Sequence, residues 1–183
     1  MLYPLYRVTR CLPVTLLSVI LLCSLSASAD SQTSCSNGRT LLGLVESVDI
    51  DTPVVVTLSA MLDTGATNSA INARNIKIIP NSQEADQVSF QIQNHRGQWI
   101  SMVKPLTRYA WIQTHSGRPV KKPVVHLSIR LGSVKSTNEF YLLNRSPFKH
   151  PVLLGRSFLN QRVIVDVSQQ YLASSRPKTL ALV

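Results

Sequence analysis

From Thr40 onward the chain is a succession of short apolar runs separated by turn residues. Leu41–Ile50 reads as one strand, and Asp51-Thr52-Pro53 turns it into a second apolar run, Val54 to Leu62, rich in Val and expected to be a buried strand. Ser69 to Ile79 suits a helical turn followed by a strand. Val88-Ser89-Phe90-Gln91-Ile92 alternates with period two, as a half-buried strand does. Asn94 to Gln98, with Gly97, reads as a turn, as does His115-Ser116-Gly117, and strands are expected at Trp99–Val103 and Tyr109–Gln113. Val125, Leu127, Ile129 and Leu131 alternate with His126, Ser128 and Arg130, so one face of that strand belongs to a core. Phe140–Leu143 and Val163–Val167 complete the set, and the one helix signal is Arg156 to Gln161. Many short strands between turn residues predict an all-β domain. No internal repeat or low-complexity segment interrupts it.

The first 39 residues follow a different pattern. Arg7 and Arg10 precede an apolar stretch, Leu12 to Leu25, and Ala27-Ser28-Ala29 forms an A-x-A site before Asp30. Residues 1–29 are therefore expected to be a secretory signal and 30–39 a polar linker, leaving a domain at 40–175 and a tail at 176–183. The stretch is short for a membrane span. The expected location is outside the cytoplasm, secreted or periplasmic, with an uncleaved inner-membrane anchor as the alternative. Cysteine usage agrees with a domain that needs no internal disulfide: Cys11 and Cys23 fall in the signal, and Cys35 stands alone in the linker.

Charge narrows the partners. Losing Arg7 and Arg10 leaves 17 basic against 9 acidic side chains, a formal +8. That balance suits a solvated basic face and favours anionic envelope components as neighbours. No basic run is interleaved with aromatics, so nucleic acid is not an expected partner.

The chemistry concentrates at Met61-Leu62-Asp63-Thr64-Gly65-Ala66-Thr67. A carboxylate, a hydroxyl and a glycine follow directly on a strand. Gly65 allows a sharp turn and close backbone approach, and Thr64 can bond locally and stiffen the turn. Aspartic proteolysis needs two such carboxylates sharing one proton, one acting as acid and the other as base on a water. This chain has one Asp-Thr-Gly, so a partner Asp requires a second copy.

Leu62-Asp63-Thr64-Gly65-Ala66 resembles the active-site loop of retroviral-type aspartic proteases. Val152-Leu153-Leu154-Gly155-Arg156-Ser157-Phe158-Leu159, in which Gly155 lies 92 positions after Asp63, resembles their closing element. The wider pattern, through Lys122-Pro123-Val124-Val125, Leu127-Ser128-Ile129 and Asn144-Arg145-Ser146, is similar to a bacterial retropepsin-like family also called ATP-dependent zinc proteases. The resemblance implies a closed barrel of short strands with one short helix and an active site formed in a homodimer. It implies Asp63 as the catalytic carboxylate, Thr64 bonding across the dimer axis, Gly65 and Ala66 lining the cleft, and Leu154, Gly155 and Arg156 closing behind the loop. A substrate peptide would bind as an added strand, under a hairpin flap whose tip is expected at Asn94–Gln98 or, preferably, at His115–Arg118. In the retroviral pattern an acid after Asp-Thr-Gly-Ala receives the arginine. Here Thr67 and Asn68 stand there, so the salt bridge of Arg156 needs another acid or is absent.

Other chemistries find less support. Asp166, within Ile164-Val165-Asp166-Val167-Ser168, is expected to be structural, paired with a backbone amide or with Arg156 or Arg162. His95, His115, His126 and His150 are scattered without metal-ligand spacing, and no Gly-x-x-x-x-Gly-Lys loop is present, so neither zinc nor ATP nor another cofactor is expected. The sequence therefore predicts an exported homodimeric aspartic endopeptidase acting on peptides. The alternatives are a non-cutting peptide- or envelope-polymer-binding module of the same fold, and a regulatory partner of an envelope peptide-ligase pathway.

Overall fold

The computed structural model describes residues 38–52, 54–113 and 117–174. The expected signal, Cys35, Pro53, the turn residues 114–116 and the tail lie outside them. Eleven strands and one helical turn run in the order β1 (Thr40–Ile50), β2 (Val56–Leu62), β3 (Ser69–Asn72), β4 (Arg74–Ile79), β5 (Gln87–Gln93), β6 (Trp99–Pro105), β7 (Arg108–Ile112), β8 (Val120–Leu131), β9 (Val134–Leu143), β10 (Val152–Leu154), α1 (Arg156–Leu159) and β11 (Val163–Gln170).

Six strands close a barrel: β1, β2, β10, β3, β9 and β8 are hydrogen-bonded in that order, and β8 returns to β1. Asp49↔Arg130 and Ile50↔Ile129 make that closing seam, and the Arg130–Asp49 ion pair at 2.7 Å lies across it. β11 adds to β1 in parallel and β7 to β8 in antiparallel orientation. A barrel leaves few unpaired edges, and its interior fills with alternate residues of every strand. Val56, Leu58, Ala60 and Leu62 of β2, Leu127, Ile129 and Leu131 of β8, and Phe140 and Leu142 of β9 supply that core.

β4, β5 and β6 form a separate three-stranded sheet. Its apolar face, Val88, Phe90, Ile92 and Met102, joins the same core. The Asn94–Gln98 turn closes β5 onto β6: Asn94 Oδ1 accepts from the amides of Arg96 and Gln98, both at 2.9 Å, and Gly97 takes a φ of 79°. β8 runs unbroken from its pairing with β7 into the barrel. Arg108 of β7 reaches over to Glu139 of β9 and holds its carboxyl below the usual range.

Several expectations need correction. Val54 and Val55 are exposed, and β2 begins only at Val56, because the run alternates in burial rather than being buried throughout. Ser69–Ile79 contains no helical turn. Ser69, Ala70 and Ile71 are buried between β10 and β9, so they form a strand bonded on both sides. The helix stops at Leu159, since Asn160 leaves helical geometry with ψ 130° and Gln161 takes a φ of 62°.

Glu46, which no local sequence pattern marks, is fully buried in β1. Its carboxylate accepts from the amides of Gly43 at 2.8 Å, Leu172 at 2.9 Å and Ala173 at 3.3 Å, and from the Ser174 hydroxyl at 2.5 Å. A buried charge is tolerated when its oxygens are satisfied in this way.

Candidate active site

The loop 63–67 is held from both ends by β2 and by the segment after β10. β10 lies parallel to β2, with Leu154 opposite Leu62, and the Leu154 carbonyl accepts the Asp63 amide at 2.9 Å. Asp63 folds back on its own loop: Oδ1 accepts from Gly65 N at 2.9 Å and Ala66 N at 3.1 Å. Oδ2 accepts from none of the described residues. One oxygen is thus fixed by two amides while the other stays available. A Cβ at Gly65 would stand 3.2 Å from Asp63 Oδ1 and press on the carboxylate. Thr64 and Gly65 are exposed and Ala66 half-buried in the single chain, so the loop presents itself outward.

Gly155 and Arg156 clamp the loop from behind. A Cβ on Gly155 would lie 2.5 Å from the Asn68 carbonyl oxygen and 3.0 Å from that of Ala66. The Arg156 amide donates to Ala66 O at 2.8 Å and the Ser157 amide to Thr67 O at 2.9 Å. The Arg156 guanidinium donates to Thr64 O at 3.1 Å, Gly65 O at 2.7 Å and Thr67 Oγ1 at 2.8 Å. Its partners are therefore loop carbonyls and a hydroxyl, with no acid. That answers what replaces the missing acidic residue: Thr67 supplies an oxygen where a carboxylate would stand.

Asp166 is paired with neither arginine. Its Oδ1 accepts from the Ser168 amide at 2.9 Å and hydroxyl at 2.7 Å, which hold its carboxyl below the usual range. Arg162 instead donates to Phe158 O at 3.0 Å. The expected backbone-amide pairing is present and the arginine pairing is not. No group of three or more metal-ligating side chains stands together among the described residues.

Comparison with known proteins agrees with this geometry. A family model described as "Retropepsin-like aspartic endopeptidase RimB" matches residues 41–176. A solved Legionella pneumophila protein of unknown function is 31% identical and superposes with a TM-score of 0.62, covering 74% of this chain and 98% of that one. Proteins named "Probable alpha-L-glutamate ligase" from Shewanella pealeana and Shewanella halifaxensis are each 29% identical over 140 residues, 74% of this chain. One of the same name from Parasynechococcus marenigrum is 31% identical over 113 residues. The chain spans 30% of the length of the two Shewanella relatives and 24% of the third.

Proposed function

The chain belongs to the RimB-like family of retropepsin-like aspartic endopeptidases, and from that premise we propose that it hydrolyses peptide bonds with a dyad of Asp63 and its counterpart in a second copy. The observation that carries this reading is the state of Asp63: one oxygen is pinned by the Gly65 and Ala66 amides and the other is open. In the dyad one carboxyl holds the shared proton while the other draws a proton from a water between them, and the water attacks the scissile carbonyl. Arg156 holds the loop carbonyls of Thr64 and Gly65 in place. Thr64, exposed in the single chain, bonds across the two-fold axis. The hairpin of β7 and β8 is the flap, since β8 carries it directly into the barrel wall.

Asp63→Asn is the test. The amide is nearly the same shape but cannot hold or pass the shared proton. Cleavage of a diverse peptide library should be abolished while folding is kept, whereas Asp166→Asn should cleave as the wild type does. Full turnover by Asp63→Asn, counted per folded molecule, would overturn the assignment.

The relatives named for glutamate ligation favour one second reading, a module that binds a glutamate-bearing peptide and serves a ligase without cutting. Under it, such a peptide binds equally well to wild type and Asp63→Asn and is never shortened by either.

A further inference from the structure

The segment joining β9 to β10 covers a cavity of about 540 Å³ whose lining is cationic. Arg145 is 8% exposed, and among the described residues its guanidinium has no hydrogen bond and no ion pair; Nε is buried without any partner. The residue is fixed in place, because its amide donates to Asn72 Oδ1 at 2.7 Å and its guanidinium lies over Phe148, 4.6 Å from the ring centroid. Burial lowers its pKa, and Asp63 is the carboxylate whose field opposes that without touching it. His95, on the same cavity, also has a buried Nδ1 without a partner. Lys149 and His150 add to the lining, with His150 Nδ1 bonded to Ser59 Oγ at 2.8 Å. No Asp or Glu is among the described residues that line it.

Buried polar groups are ordinarily paired, and a buried guanidinium is ordinarily matched by an anion. Its planar fork fits the two oxygens of a carboxylate or phosphate. We propose that this cavity is an oxyanion-binding site, in which the Arg145 guanidinium receives a carboxylate or phosphate group of a ligand, with His95 and Lys149 beside it. The site is distinct from the Asp63 loop. None of residues 63–67 lines the cavity, although Asp63 is near enough for its charge to act on Arg145.

Binding can be read without any cleavage, so the result stands apart from the peptidase reading. Inorganic phosphate and N-acetylglutamate α-amide, which carries one carboxylate, are titrated at constant ionic strength against the imidazole NMR signals of His95 and His150. Saturable shifts beyond a sodium chloride control are expected, with the affinity about ten- to a hundredfold weaker in Arg145→Gln and several-fold weaker in Lys149→Ala. Lys149 is exposed, so its variant keeps the comparison valid if Arg145→Gln does not fold. Competition between the carboxylate and a peptide substrate assigns the site to substrate recognition; phosphate binding without effect on cleavage assigns it to a separate small anion. Shifts no larger than the chloride control for both anions, or unchanged affinity in the variants, would overturn the proposal.

Discussion

Single residues divide here into those whose roles show in their neighbours along the chain and those whose roles come from distant backbone. Asp63 is of the first kind, since both its amide donors lie within three positions. Arg156 and Glu46 are of the second. Arg156 bonds to loop carbonyls rather than to an acid, and carbonyl oxygens have no signature in sequence. Glu46 takes three of its four donors from residues 172–174, and nothing near it announces them. His150 carries a pH consequence. Burial first, then the charges of Lys149 and Arg145, push its pKa below the ordinary 6.5. The unfolded chain therefore binds a proton near pH 6 that the folded one does not, and stability present above pH 6.5 is lost as pH falls below it. Urea midpoints should drop between pH 7 and 5.5, and His150→Gln should flatten part of that drop. The Glu139 contribution, depressed by Arg108, is lost at lower pH, in the carboxylate range, and leaves this window clear.

Among elements, the alternating strands were legible because one face of each meets the core. Val88 to Ile92 and Val125 to Leu131 bury the residues that period two selects. β3 was not legible, since four residues bonded on both sides show no alternation and their local pattern suits a helical turn equally well. Nor could local pattern reveal that β4, β5 and β6 pair among themselves rather than with the barrel. The candidate loop was legible as a motif, but its clamp is a packing fact. Gly155 has a φ of −91°, which any residue can adopt, so its constraint is space alone. Gly155→Ala should displace the Asn68 and Ala66 carbonyls, destabilise the protein by about 1–3 kcal/mol, and lower turnover at temperatures where the variant is still folded. Thermal unfolding beside peptide cleavage measures both, and a variant matching wild type in both would show that the loop yields freely.

For the whole molecule, one Asp-Thr-Gly per chain and an outward-facing loop lead to an expected C2 dimer with the site on its axis. Light scattering at micromolar concentration should report twice the chain mass, and specific activity should fall on dilution. A strict monomer with undiminished activity would exclude the shared site. The all-β class was evident from the strand pattern; the closed barrel followed from the resemblance alone, because closure depends on pairings such as Ile50 with Ile129 that no window of sequence contains. The pairing of β1 with β11 has a further consequence, in time rather than space. β1 is neighboured by β11, more than a hundred positions later, and the carboxylate of Glu46 is satisfied by amides near residue 173. Contacts of such sequence separation make folding slow, and β1 has no complete setting until residues 163–174 have emerged and docked.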